Sequence, residues 1–505
     1  LNALGLRVAE SASRGILEAV CAKKVPAPEP DNLVAKLAPW AKKGGLAVLD
    51  QALFAGTNFF INVLLARWLT PTEYGAYALA FSVFILFSSI YMALWTEPMM
   101  VYGSGKYAGH FEEYLGTLLL GHVYSMLPVV LILLGAAYLV GFVYSVGAEH
   151  ALFGLAIAAP FILLLWLVRR AFYVRLRPGW ATVGGGLYFV LLPALVLALK
   201  MGNRLSPVSA FVGMGVLAAV ITLLLLIRLN PSQVATGAFF YLLFLLALIY
   251  PLWTGKQLSP VAVCLGMGVA TLTVSAFLLL RLRPRWKGKE GPTLGMAAAD
   301  HWRYGRWSLA SGVVGWFPDN VFYVLLPAWI GLQGSGALRA LVTLANPGVQ
   351  TIGALSSILL PMLVRDRRKG GARAMQRKMF FFLVLFLAGA GLYFVLLWGF
   401  RSQIVRLVYA GKYQEYTAWP LLLAGLLPCG TGVSAVLGNA LRALERPDRL
   451  FWCYLGSAIA AAGSVPLAFE FGLTGALAGL LIADLAKVLL MAIFYKIALR
   501  QEPAR

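Results

Sequence analysis

Asp319 sits inside a long apolar stretch, in Trp316-Phe317-Pro318-Asp319-Asn320, far from either end of that stretch. An ionised Asp at the centre of a bilayer costs about 2.5–3.5 kcal/mol on insertion scales, so it needs a cavity or a partner. Pro318 has no backbone N–H and interrupts the helical ladder beside it, which frees a carbonyl as a second oxygen ligand. This combination suits binding of a proton or a small cation. Asp484 and Lys487 lie three residues apart in another apolar stretch and so share one helix face. They are read either as a mutually neutralised pair that lets the helix insert or as an ion pair lining a cavity. Asn58, Asn62, Asn320, Asn346, Gln350 and Asn439 supply amides at similar depth. Such groups can bind a hydroxyl-rich solute or bond between helices.

Fourteen apolar stretches from Gly45 onward must position these groups. Most are about 20 residues long, the length that crosses a bilayer core as a helix, and backbone polar groups in lipid must be satisfied within each segment. The expected fold is an all-α polytopic membrane protein with about fourteen transmembrane helices. The expected partition is 1–44 as an N-terminal tail, 45–230 as a first lobe (spans one to six), 231–304 as a duplicated hairpin (spans seven and eight) with a basic linker, 305–498 as a second lobe (spans nine to fourteen), and 499–505 as a tail.

Composition excludes several classes. Apolar residues make up 60% of the chain and charged ones 12%, so no soluble domain of ordinary size fits beside the helices. A net charge of +22 could signal nucleic acid. Most of the 42 Lys and Arg, however, fall in the N-terminus, the even-numbered loops and the C-terminus, densest at Arg281–Lys289 and Arg365–Lys378. This asymmetry predicts cytoplasmic termini and no nucleic-acid partner. The chain begins with Leu1, and the residues before span one are expected to form an interfacial or disordered cytoplasmic tail rather than a signal peptide. Cys21, Cys264, Cys429 and Cys453 are scattered, as are the four His, and no metal-binding or nucleophile motif appears. No metal and no cofactor is expected. Asp50, one turn into span one, is read as interfacial. Arg67, Glu97 and Arg339, near span ends, are read as reaching water.

Two repeats organise the chain. Ser206-Pro207-Val208 and Gly213-Met214-Gly215-Val216 recur 53 residues later as Ser259-Pro260-Val261 and Gly266-Met267-Gly268-Val269. The unit is one helical hairpin, so its duplication preserves topology and enlarges a twelve-span parent; the added pair is expected at the lobe boundary or periphery. A fainter repeat at an offset of 261 matches Val63-Leu64-Leu65, Trp68 and Gly75-Ala76 with Val324-Leu325-Leu326, Trp329 and Gly336-Ala337. It predicts two pseudo-symmetric lobes around a central cavity, related by an axis along the membrane normal. The same offset pairs Asp319 with Asn58.

The segment from Leu64-Leu65-Ala66-Arg67 through Leu69, Pro71 and Glu73-Tyr74-Gly75 to Tyr77 resembles the opening signature of Wzx-type polysaccharide flippases of the multidrug/oligosaccharidyl-lipid/polysaccharide exporter superfamily. Asp319, Gly336 and the closing Gly472-Leu473-Thr474-Gly475-Ala476 are similar to that family as well. The second lobe departs from the pattern in lacking Tyr after Gly336, and spans seven and eight have no counterpart in it. The resemblance implies a non-enzymatic transporter in the bacterial inner membrane. Such a protein moves a polyprenyl-diphosphate-linked oligosaccharide to the periplasmic leaflet for O-antigen, capsule or exopolysaccharide synthesis. It also implies coupling to H+ or Na+ and work beside a polysaccharide polymerase and glycosyltransferases. Asp319 is then the ion-coupling candidate. Asn58, Asn62, Asn320, Asn346, Gln350, Asp484 and Lys487 are the candidates for the cavity and substrate. The alternatives are a drug or cation antiporter of the same superfamily and a membrane oligosaccharide polymerase or ligase.

Overall fold

Among the described residues, four helices begin at a side-chain cap that the sequence supplies. The computed structural model describes residues 33–201, 258–285, 291–446 and 448–501, with side chains from residue 45 onward. All packing below belongs to the unit Ala47–Arg505. The helices in chain order are α1 (Leu33–Trp68), α2 (Pro71–Tyr91), α3 (Glu97–Ser104), α4 (Phe111–Val143), α5 (Val146–Val174), α6 (Pro178–Met201), α7 (Pro260–Leu282), α8 (Leu294–Ile330), α9 (Leu332–Gly399), α10 (Arg401–Tyr409), α11 (Trp419–Ala443), α12 (Asp448–Gly463) and α13 (Val465–Arg500). Thr70 and Glu73 form a reciprocal capping box at α2, with Pro71 at the first helical position. Ser145, Ser259 and Thr293 cap α5, α7 and α8 with their hydroxyls. Ser259-Pro260, the opening of the duplicated motif, is therefore a helix start; its earlier copy lies outside the described residues.

Among the described residues ten helices are long and apolar enough to cross a bilayer. The 68-residue α9 contains spans ten and eleven, which meet at Gly370 and Gly371, where Gly371 has φ +64. Span thirteen is α12 plus the first turns of α13, and span fourteen starts where Gly472 breaks α13 at φ +55. Spans six and seven, at 206–229 and 237–254, lie outside the described residues.

The first lobe is built on α2, α4, α5, α6 and α7, and the second on α8, α9, α11, α12 and α13. α7, expected at the lobe boundary or periphery, lies against the helices of the first lobe. It packs along α5 and α6, it is buried over nearly its whole apolar length, and its Met267 Sδ receives the Tyr77 hydroxyl. A helix apolar on every side can be enclosed on every side, and α7 carries no acidic residue. α2 passes through one π-helical turn, Met92–Thr96, before α3, a feature that often marks functional regions.

The lobes touch along two seams. At the face that carries the α1–α2 and α8–α9 turns, here called the gate face, α2 packs on α9. Toward the opposite face, α8 runs along the π turn, α3 and α4 of the first lobe. There Ser308 donates to Glu97 at 2.6 Å, and Lys106 and Tyr107 reach Asp300 at 2.7 and 2.6 Å. Glu97, expected to reach water, is thus a lobe-to-lobe acceptor.

Candidate functional site

In the second lobe, Lys487 Nζ lies 2.6 Å from Asp484 Oδ1, one turn away on α13, with both side chains largely covered. Asp319, on α8, interacts electrostatically with both. Its own side chain is accessible and has no hydrogen-bond partner among the described residues. Lys487 also lines a cavity of about 160 Å³, together with Ser356, Thr431, Ser434, Asn439, Arg442 and Tyr454. Four helices line that cavity, α9, α11, α12 and α13, and Asp319 of α8 acts on its Lys487 electrostatically. The sequence placed Asp319 and the Asp484–Lys487 pair separately; the tertiary structure joins them. Asn439, by contrast, is buried and donates to Ser356 Oγ at 2.7 Å and to the Ala435 carbonyl at 2.9 Å. It ties α11 to α9.

The other polar candidates lie around the gate. Asn62 is buried, and its Oδ1 accepts from Tyr74 OH at 3.2 Å and from Arg339 Nε at 2.9 Å. Its Nδ2 donates to the Asn58 carbonyl at 2.7 Å. Asn62 is one of the acceptors that hold the second lobe to the first. Arg339 is half-buried, with its guanidinium 4.8 Å from the Phe81 ring centroid and 5.9 Å from that of Tyr323. Reaching water is therefore not its role: a cation near the end of a span is folded inward because neutral acceptors and aromatic faces await it. Asn58 and Asn346 are half-buried, and Gln350 is exposed. Asn320 is buried and donates to the Trp316 carbonyl at 3.1 Å, within α8.

The gate obeys the 261-residue repeat. Thr70 and Gly331 are the N-caps of α2 and α9. Tyr74 bonds back to Asn62, and Ser335, its counterpart, bonds back to Tyr323, the counterpart of Asn62, at 2.8 Å. Beyond these contacts, the segment after α9 straps the end of α1. Arg67 donates to the Leu407 carbonyl at 3.2 Å, while Lys412 donates to the carbonyls of Arg67 and Leu69 at 2.8 and 2.7 Å. Each cation satisfies the free C-terminal carbonyls of the other element's helix. Burial, followed by the nearby Lys200, holds the Lys412 ammonium below its usual range.

Asp50 is not interfacial. It is fully buried, with Oδ2 2.7 Å from Arg169 Nη2 and 2.6 Å from the Tyr173 hydroxyl. The Arg169 guanidinium also stacks over Phe54 at 4.2 Å. The signal was in the sequence: an Asp in span one and an Arg in span four each need a partner, and each is the other's. Among the described residues no three His, Cys, Asp or Glu side chains converge as metal ligands.

No family model and no curated protein sequence matches the chain. Solved structures do. An inward-facing multidrug resistance MATE family transporter of the MOP superfamily matches at TM-score 0.65 and 12% identity, over 90% of this chain and 96% of that one. The eukaryotic MATE transporter AtDTX14 matches at TM-score 0.60 and 13% identity, over 93% and 99%. The lipid II flippase MurJ, in an inward closed conformation, matches at TM-score 0.57 and 13% identity, over 92% and 87%. The chain is a multi-pass membrane protein with the fold of MOP superfamily transporters.

Proposed function

We propose that this protein flips a polyprenyl-diphosphate-linked oligosaccharide from the cytoplasmic to the periplasmic leaflet of the bacterial inner membrane, coupled to an ion at Asp319. The observation that carries this reading is the place of the flippase-like signature. Arg67 and Gly75 of that segment touch the second lobe directly, and Tyr74 bonds to Asn62, which accepts from Arg339 of the second lobe. The signature thus encodes the moving contact of an alternating-access carrier. The gate face is the periplasmic one in this reading, and the termini are cytoplasmic, following the basic loops. The closed gate belongs to the state that receives substrate from the cytoplasm. Asp319 faces a wet path, because exposure of its charge to lipid would cost about 2.5–3.5 kcal/mol. Alternating access follows if the ion binds one lobe arrangement better than the other.

The test is expression in cells that lack their own flippase for a surface glycan. Restored surface polysaccharide supports the proposal; continued accumulation of the lipid-linked oligosaccharide on the cytoplasmic side rejects it. Thiol labelling fixes the orientation: Gln333→Cys should label from outside intact cells and Lys369→Cys should not. A drug or cation antiporter is the second reading, favoured by the higher TM-score of the multidrug transporter. It requires efflux of cationic drugs by the same cells, without rescue of the glycan.

A further inference from the structure

Lys487 occupies the position on Asp484 that a metal cation bound by that carboxylate would take. Its ammonium takes Asp484 Oδ1 at 2.6 Å and lies within electrostatic reach of Asp319. The other Asp484 oxygen is closed off from behind: a Cβ on Gly430 of α11 would lie 1.6 Å from Oδ2, so that helix backbone packs directly on the carboxylate. Two carboxylates and one ammonium leave a single negative charge, and among the described residues the carboxylate free of hydrogen bonds is Asp319. The cavity that Lys487 lines beside this pair has as its other polar residues Ser356 on α9, Thr431, Ser434, Asn439 and Arg442 on α11, and Tyr454 on α12. The only further charge among these is Arg442, another cation.

We infer that Lys487 is a tethered cation that sets the ion specificity of this site, excluding Na+ and leaving Asp319 to exchange a proton. The inference rests on the ion-coupled reading above and deepens it. Na+ needs several oxygens converging on one point. Here one Asp484 oxygen is occupied by the ammonium and the other is packed against α11. An entering Na+ would also meet two like charges, Lys487 and Arg442, in a medium that screens them poorly. A proton needs neither a coordination shell nor removal of Lys487; it adds to one Asp319 oxygen and leaves the Asp484–Lys487 pair intact. Lys487 thus acts on specificity through its neighbours and binds no ion itself.

The test uses the purified full-length protein, with 22Na+ binding and infrared difference spectra on acidification as readouts. The wild type should show no saturable Na+ binding. Acidification should produce, among the C=O stretches of protonated carboxylic acids, one band that Asp319→Asn lacks. Lys487→Met should gain saturable Na+ binding at least tenfold above the wild type, and Lys487→Arg should not. Lys487→Gln, closer in polarity, serves the same purpose should the methionine variant fold poorly. Saturable Na+ binding by the wild type that disappears in Asp319→Asn overturns the inference. So does the absence of any gain in folded Lys487→Met or Lys487→Gln, or a set of carboxylic-acid bands that persists unchanged in Asp319→Asn. These measurements do not involve glycan export, so a failure of the flippase reading leaves them standing.

Discussion

Gly75 and Gly336, equivalent in the two repeats, touch each other where the lobes meet. A Cβ on Gly336 would lie 2.5 Å from the Pro71 carbonyl oxygen and 3.0 Å from the Gly75 nitrogen, and a Cβ on Gly75 would lie 1.7 Å from the Leu332 oxygen. The obstructing atoms are backbone, which cannot rotate away. Two repeat-related residues in contact must straddle the pseudo-symmetry axis, so the axis passes through the gate.

Adding a methyl at this contact should therefore open the gate. Gly75→Ala and Gly336→Ala are each expected to destabilise the closed arrangement by about 1–3 kcal/mol, the usual cost of overpacking. Thiol labelling of Asn62→Cys from the gate face reads the outcome, with labelling expected to rise tenfold or more. Unchanged labelling in folded variants would mean that α2 and α9 can shift without separating.

The link between Asn62 and Arg339 should be asymmetric in its energetics. Asn62→Ala removes the acceptor and leaves a guanidinium group without it, costing about 1–3 kcal/mol. Pairing Asn62→Leu with Arg339→Met replaces both partners with apolar groups and should restore most of that loss. Thermal unfolding of the two single variants and the double variant gives the coupling. Simple additivity would show that the hydrogen bond at 2.9 Å contributes little.

The buried pair of Asp50 and Arg169 predicts a larger effect. Arg169→Leu alone leaves a fully buried carboxylate uncompensated and should destabilise the first lobe by about 3–5 kcal/mol. Asp50→Asn in the same chain should recover much of it, because a neutral amide can still bond to the Tyr173 hydroxyl. A mild single variant would show that the pairing of Asp50 with Arg169 contributes little to the stability of the first lobe.

The strap at Lys412 should respond to alkaline pH. Docking lowers the Lys412 pKa from 10.5, so the docked strap binds fewer protons than the released one. By linkage, stability then rises with pH between the lowered docked value and 10.5, and is level above. Labelling at the gate face should fall as pH approaches 10.5, and Lys412→Met should abolish that dependence. The opposite slope would show that docking raises the Lys412 pKa instead of lowering it.

The sequence by itself determined the class and the ground plan. Apolar runs of bilayer length dictate helices, because a backbone in lipid has no other way to satisfy its polar groups. Caps such as Thr70 and Ser259, and breaks such as Gly371 and Gly472, are local and can be read locally. The two-lobe repeat was visible because its marks, Trp68 with Trp329 and Gly75 with Gly336, survive at a fixed offset. Partnership between distant helices was decided only by tertiary structure. Asp50 looked interfacial until α5 brought Arg169 to it, Arg339 looked solvated until α1 brought Asn62, and Asp319 looked isolated until α13 brought Lys487 and Asp484. The enclosure of α7 within the first lobe was equally invisible, since a uniformly apolar helix suits lipid and protein alike. The physical reason is common to all four. Hydropathy reports the medium a segment tolerates, whereas the neighbour of a charge depends on helix packing across hundreds of residues, which no local pattern encodes.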